Sequence, residues 1–208
     1  PISDMESVIE SARCSMMAIG KQKQGLTKAQ LRKHCLRQLK EQKEEQRRQR
    51  SCRIWRKVLR LTAFRQARVV CCYVALPYEV QTWQMIESML AKGKRVVVPV
   101  ARPQTKRLAL SELRDPAREL TRGAHGVLEP HRKAYRPVSV GSVDLVLVPG
   151  VAFDRRGFRL GHGQGYFDRF LARVPKDTPT VGLAFRFQLF DRLPTAAHDR
   201  AVSTVLTA

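Results

Sequence analysis

Apolar positions recur three and four residues apart in the first third of the chain, then gather into short runs divided by polar turns. Leu31, Cys35, Leu36 and Leu39 fall at helical spacing, as do Ile54, Trp55, Val58, Leu59 and Leu61. Residues 28–68 contain neither Pro nor Gly and are rich in Leu, Gln, Arg and Lys, which favours helix. Thr27 with Gln30 three residues on gives a capping-box start. Residues 68–76 (RVVCCYVAL) form a continuous apolar run of the kind found in parallel strands covered on both faces. Residues 79–91 predict a helix stopped by Gly93, and residues 94–100 a second strand, together a right-handed βαβ unit. Further along, 107–113 reads as an edge strand, 143–148 as the clearest buried strand, about 165–174 as a helix, and 180–185 and 201–206 as strands. The expected fold class is α/β: a single doubly wound, mostly parallel sheet flanked by helices, behind a basic helical N-terminal segment. Residues 1–25 read as an N-terminal extension and 26–208 as one domain.

Composition narrows the function classes. The chain has 208 residues, 43% hydrophobic and 27% charged, which excludes wholesale disorder. No apolar stretch approaches the ~20 residues that span a bilayer. The first 20 residues lack a basic lead before an apolar block, so neither a secretory nor a transit signal is expected and the location is read as cytoplasmic. Pro1 suggests a start that is missing or processed. Five cysteines, odd in number and without CxxC spacing, read as thiols, with Cys71 and Cys72 facing opposite sides of a strand. The net charge is +21, and residues 28–68 hold 15 Lys and Arg against 3 Glu, a net of +12. A cationic helix of this kind invites a nucleic-acid reading, for which Arg47, Arg48 and Arg50 are the residues to neutralise. It also fits a solvated helix face, or a few cations meeting an anionic substrate. No recognisable RNA- or DNA-binding module accompanies it.

The segment 149–169 carries the chemistry. It leaves the carboxyl end of a buried strand, where open α/β sheets place ligands. Gly161, Gly163 and Gly165 alternate just before a helix, so backbone N–H groups can converge beside its positive end and cradle a phosphate. Tyr166 stands where a dinucleotide fingerprint needs glycine, and a Walker A sequence is absent. Asp168 suits either the first turn of a helix or, beside polyphosphate, a Mg²⁺ ion.

Pro149-Gly150-x-x-Phe153-Asp154-x-x-Gly157-x-Arg159-Leu160-Gly161-x-Gly163-x-Gly165-Tyr166-x-Asp168-Arg169 closely resembles the signature of the 5-formyltetrahydrofolate cyclo-ligase family. Lys28-x-x-Leu31-Arg32, Pro77-x-Glu79-Val80-x-Thr82 and His198-Asp199 match in order, so the resemblance covers about residues 28–207. It implies an ATP- and Mg²⁺-dependent conversion of 5-formyltetrahydrofolate to 5,10-methenyltetrahydrofolate. It further implies that Lys28, Arg32 and the loop Arg159, Leu160, Gly161, His162, Gly163, Gln164, Gly165, Tyr166 and Phe167 bind ATP, and that His162 to Tyr166 also touch the folate. Glu79 would hold the pterin and Asp168 the Mg²⁺. The partners expected are these small molecules, with no membrane, nucleic acid possible but not required, and a monomer.

Read from the residues alone, Lys28 and Arg32 also fit surface charge, Glu79 an acid at a helix start, and Tyr166 core packing. The chain departs from the family pattern at His162 and Gln164, where Arg or Lys is usual, and at Phe167 for Tyr. It departs also at Gln81 for Asp, and at Ser203 for an Asp that assists the metal. His34, His125 and His131 belong to no motif, and His198 and Asp199 match without an assignable role. The alternatives are a nucleic-acid-binding protein on a lapsed enzyme body, using residues 28–68, and an enzyme that phosphorylates another small amide.

Overall fold

The structure, a computed structural model, describes residues 26–123, 126–197 and 199–208; residues 1–25, 124–125 and His198 lie outside them. Three helices lead: α1 (Lys28–Glu41), α2 (Glu44–Arg60) and α3 (Thr62–Gln66). The capping box forms, with the Gln30 backbone N–H donating to Thr27 Oγ1 at 3.3 Å and the Thr27 N–H to Gln30 Oε1 at 2.9 Å. The basic segment is thus helical but broken at Gln42, Lys43 and Leu61, each with extended backbone. Glu44 and Glu45 then sit in the first turn of α2, where their charge favours a new helix start.

The strands and shorter helices follow as β1 (Val69–Cys71), α4 (Trp83–Ala91), β2 (Arg95–Arg102), β3 (Arg107–Leu113) and α5 (Pro116–Glu119). After them come β4 (Leu120–Arg122), β5 (Leu128–Pro130), β6 (Pro137–Val138), β7 (Leu145–Val148), β8 (Ala152–Asp154) and β9 (Arg159–Leu160). The last are α6 (Tyr166–Leu171), β10 (Thr180–Ala184), β11 (Leu189–Phe190) and β12 (Thr204–Thr207). Seven strands make the main sheet in the order β12-β10-β7-β1-β2-β3-β6, parallel from β12 to β2 and antiparallel beyond. β11, β8 and β9 form a small second sheet, and β4 pairs with β5.

Both faces of the main sheet are covered, as the unbroken apolar runs require. Val70, Val96, Val98, Leu145, Leu147, Val181 and Leu183 join one core with Leu31, Cys35, Ile54, Val58 and Met85 from the helices. Their strand neighbours Cys71, Val97, Val146, Val148 and Ala184 join the other, with Phe170 and Leu171 of α6. Cys71 and Cys72 therefore do face opposite sides, and they and Cys52 are free thiols.

Two expectations are corrected. Residues 107–113 are not the edge, because β6 pairs outside them through Leu110 and Ser111. The run 68–76 is a strand only over Val69–Cys71, and the following helix begins at Trp83 rather than residue 79. Between them the chain closes on itself. Thr82 Oγ1 donates to Tyr73 O at 2.7 Å and accepts from the Ala75 N–H, and Glu79 Oε2 accepts from the Leu76 N–H. Those hydrogen bonds replace ladder and helix bonds and project the loop beyond the sheet.

Candidate active site

Chain order along the sheet reverses between β1 and β7, and ligands of open α/β sheets bind outside the carboxyl ends of the strands at that reversal. A cavity of about 470 Å³ lies there. The loop after β1 brings Glu79 to it, the segment after β7 brings residues 149–168, and the first turns of α1 bring Lys28 and Arg32. The cavity gathers every residue that the resemblance assigned to a substrate or the metal: Lys28, Arg32, Glu79, the loop 159–167 and Asp168.

Cations crowd one side. Arg159, its side chain 3% exposed, places Nη2 2.9 Å from Asp168 Oδ1 and lies over the Phe167 ring at 5.3 Å. Burial pulls its guanidinium below the ordinary value, opposed by the charges of Asp168 and Asp199. Its Nε is buried without a hydrogen-bond partner, a donor left over at the site. Arg32 Nε donates to Gly161 O at 2.9 Å, and Lys28 Nζ meets Asp199 Oδ2 at 2.6 Å. Arg169 donates through Nη2 to Gln164 O and through Nε to Lys106 O, both at 2.7 Å, which pins the far end of the loop. Gly163 has φ +103° and presents its bare α-carbon to the Arg32 guanidinium, where a Cβ would stand 3.5 Å from Cζ. The arrangement is a loop of exposed backbone backed by three cations, suited to a polyanion.

The other side is set by Glu79. Its Oε2 accepts one hydrogen bond, from the Leu76 N–H, and burial pushes its acid up to about 7, partly offset by that hydrogen bond. Gln81 secures the loop by donating from Nε2 to the Leu76, Pro77 and Glu79 carbonyls at 3.1, 3.2 and 2.8 Å. His162 reaches across from the glycine loop, with Nε2 3.2 Å from the Tyr78 hydroxyl and 4.0 Å from Glu79 Oε1. Burial, then Arg32 and Arg159, lower its pKa from 6.5, so the ring is neutral near pH 7 and no ion pair forms with Glu79.

Three features were missed or misplaced by sequence reasoning. Asp199 carried no role, yet it lines the cavity and pairs with Lys28. Tyr78 was passed over inside the Glu79 motif. Ser203, matched to a metal-assisting position, does not reach the cavity: its Oγ accepts from the Thr180 N–H at 3.2 Å and its N–H donates to Thr180 Oγ1 at 2.9 Å, at the amino end of β10. His131 is structural, its Nδ1 accepting from the Ala134 N–H. Among the described residues no group of three or more His, Cys, Asp or Glu is placed to enclose a metal ion. Asp168 and Asp199, with side chains 17% and 10% exposed, are the carboxylates on the cationic side.

Comparison with known proteins agrees with the arrangement. The model of the 5-formyltetrahydrofolate cyclo-ligase family matches residues 24–208. The 5-formyltetrahydrofolate cyclo-ligase of Mycolicibacterium smegmatis is 32% identical over 142 residues, 67% of this chain and 73% of that one. That of Haemophilus influenzae is 32% identical over 149 residues, 71% and 80% of the two chains. The solved structure of Aquifex aeolicus 5,10-methenyltetrahydrofolate synthetase is similar with a TM-score of 0.75 and 35% identity, covering 88% of this chain and 90% of that one. With the sheet order, the cavity at its reversal point and a family match that spans all the described residues, this protein belongs to the 5-formyltetrahydrofolate cyclo-ligase family of ligases.

Proposed function

We propose that the chain converts 5-formyltetrahydrofolate and ATP into 5,10-methenyltetrahydrofolate, ADP and phosphate, in the presence of Mg²⁺. The observation that carries this reading is one cavity holding a polyanion cradle on one side and a buried carboxylate on the other. The folate's pterin ring presents an amide and an amino N–H on one edge, and Glu79, ionised, accepts both through its two oxygens. The ATP phosphates lie along the loop from Arg159 to Phe167, with Lys28 and Arg32 approaching from α1.

The reaction needs the formyl oxygen made into a leaving group. It attacks the γ-phosphorus and ADP departs. N10 then adds to the activated formyl carbon and loses its proton, and the phosphate leaves with the former formyl oxygen. The protein's part is positioning and charge neutralisation, since phosphoryl transfer asks for little else. Arg159, held by Asp168, is fixed in place before substrate arrives, and its unpartnered Nε is ready for a phosphate oxygen. Lys28 is held by Asp199 in the same way.

The residues present fit Mg²⁺, which takes one or two carboxylates and fills its shell with phosphate oxygens and water. Asp168 would hold it, with Asp199 nearby, and it would neutralise charge on the transferred phosphoryl group. Substrate labelled with ¹⁸O in the formyl group tests the route: the label should appear in the released phosphate. Label retained elsewhere would rule out phosphorylation of that oxygen.

A further inference from the structure

The Glu79 loop follows β1 and the glycine loop follows β9, and the two approach each other across the mouth of the cavity. His162 spans that gap. Its Nε2 stands 3.2 Å from the Tyr78 hydroxyl, with the two rings 6.3 Å apart and tilted by 52°. The backbone on either side of His162 is fixed by other means, Arg32 holding Gly161 O and Arg169 holding Gln164 O. Tyr78 is in turn steadied by Lys40 of α1, whose Nζ lies 5.7 Å from its ring centre.

The groups facing the contact decide its chemistry. Glu79 lies beneath it, Lys40 beside the Tyr78 ring, and Arg32 and Arg159 behind His162. Burial, with two guanidinium groups behind it, favours the neutral imidazole, and a neutral ring can accept the Tyr78 O–H at Nε2. The hydrogen bond therefore joins the loop that would hold the ATP phosphates to the residue next to the carboxylate that would take the pterin.

We propose that the Tyr78–His162 contact couples the two substrates, so that nucleotide seated on the glycine loop holds His162 on Tyr78 and tightens the folate side. Coupling of this kind is reciprocal: folate must tighten nucleotide binding by the same factor. One neutral hydrogen bond supports a coupling on the order of fivefold. The inference rests on the proposed folate and ATP sites, and Tyr78 acts in it as a positioning residue rather than a catalytic one.

Calorimetry measures the dissociation constant of 5-formyltetrahydrofolate with and without a saturating non-hydrolysable ATP analogue, and the ratio of the two is the readout. Any loss of intrinsic folate affinity in a variant cancels in that ratio. The wild-type ratio should be on the order of fivefold, and Tyr78→Phe, which keeps the ring and removes only the hydroxyl, should bring it close to one. His162→Ala should do the same, and the double variant should go no further, since both remove one contact. A Tyr78→Phe ratio equal to wild type, or a wild-type ratio of one with both ligands binding, would overturn the coupling alone. Wild-type protein that binds neither ligand would overturn the proposed function and the coupling with it.

Discussion

Glu79 owes its position in the titration range to burial. Its acid rises from 4.5 to about 7 because the carboxylate is shielded from water and offset by a single backbone N–H. Pterin donors favour the ionised form, so folate binding should strengthen as pH rises through about 7, and Glu79→Gln should flatten that dependence in a Kd-against-pH titration. In the unliganded protein the raised value means that the folded state holds the proton more tightly. The stability linked to it is full below about 4.5 and is lost as pH rises through about 7. Across that interval wild type should lose about 3 kcal/mol relative to Glu79→Gln in denaturant melts. Asp154 has a different part. Fully buried, it accepts from the Arg156, Phe158 and Leu193 backbone N–H groups and from the Arg156 guanidinium. Asp154→Asn should cost about 2–4 kcal/mol of stability, with the surviving folded enzyme retaining its substrate affinities. Membership of the cavity was legible where a residue lay inside a contiguous motif, as at Arg159 and Asp168. It was illegible at Asp199, whose partner Lys28 is 171 positions away.

At the level of elements, the loops after β1 and β7 carry the site while strand pairing merely aims them. Residues 72–76 read as strand because they are apolar, but Tyr73, Val74 and Leu76 spend that character on the cavity wall. Hydrophobic pattern registers burial and cannot tell a ladder from a folded-back loop. The turn between β8 and β9 shows the reverse case, where backbone geometry sets the residue. Gly157 has φ +87°, and a Cβ there would stand 2.3 Å from Val202 O, which belongs to the segment entering β12. Gly157→Ala should therefore cost at least about 2 kcal/mol, measurable as a lowered Tm. Ser203, a departure from the pattern at a position where an Asp would assist the metal, lies away from the cavity for an element-scale reason: β12 enters the sheet at the opposite end, and Ser203 pairs with Thr180.

Over the whole molecule, the charge of +21 divides by geometry. Lys28, Arg32 and Arg159 face the cavity. Arg47 and Arg50 turn to Gln42, and Arg48 pairs with Glu45, so these three are poor tests of a polyanion surface. Arg53, Arg56 and Arg60 are exposed on α2 and have no acidic partner among the described residues. Replacing those three with Gln should leave kcat/KM for both substrates unchanged, whereas a fall in turnover would tie this face to the reaction. Salt-sensitive oligonucleotide binding lost in that variant would favour the nucleic-acid reading of the same face. No helix among the described residues is long and apolar enough to cross a membrane. The doubly wound fold class was legible from the alternation of apolar runs and helical stripes, and so was β3 as a strand, while its antiparallel pairing and the two-residue β6 outside it were not. The most direct measurement is methenyl-folate absorbance in a mixture of the protein, 5-formyltetrahydrofolate, ATP and Mg²⁺, with each component omitted in turn. The absorbance should grow only in the complete mixture, and well-folded protein producing none there would contradict the account.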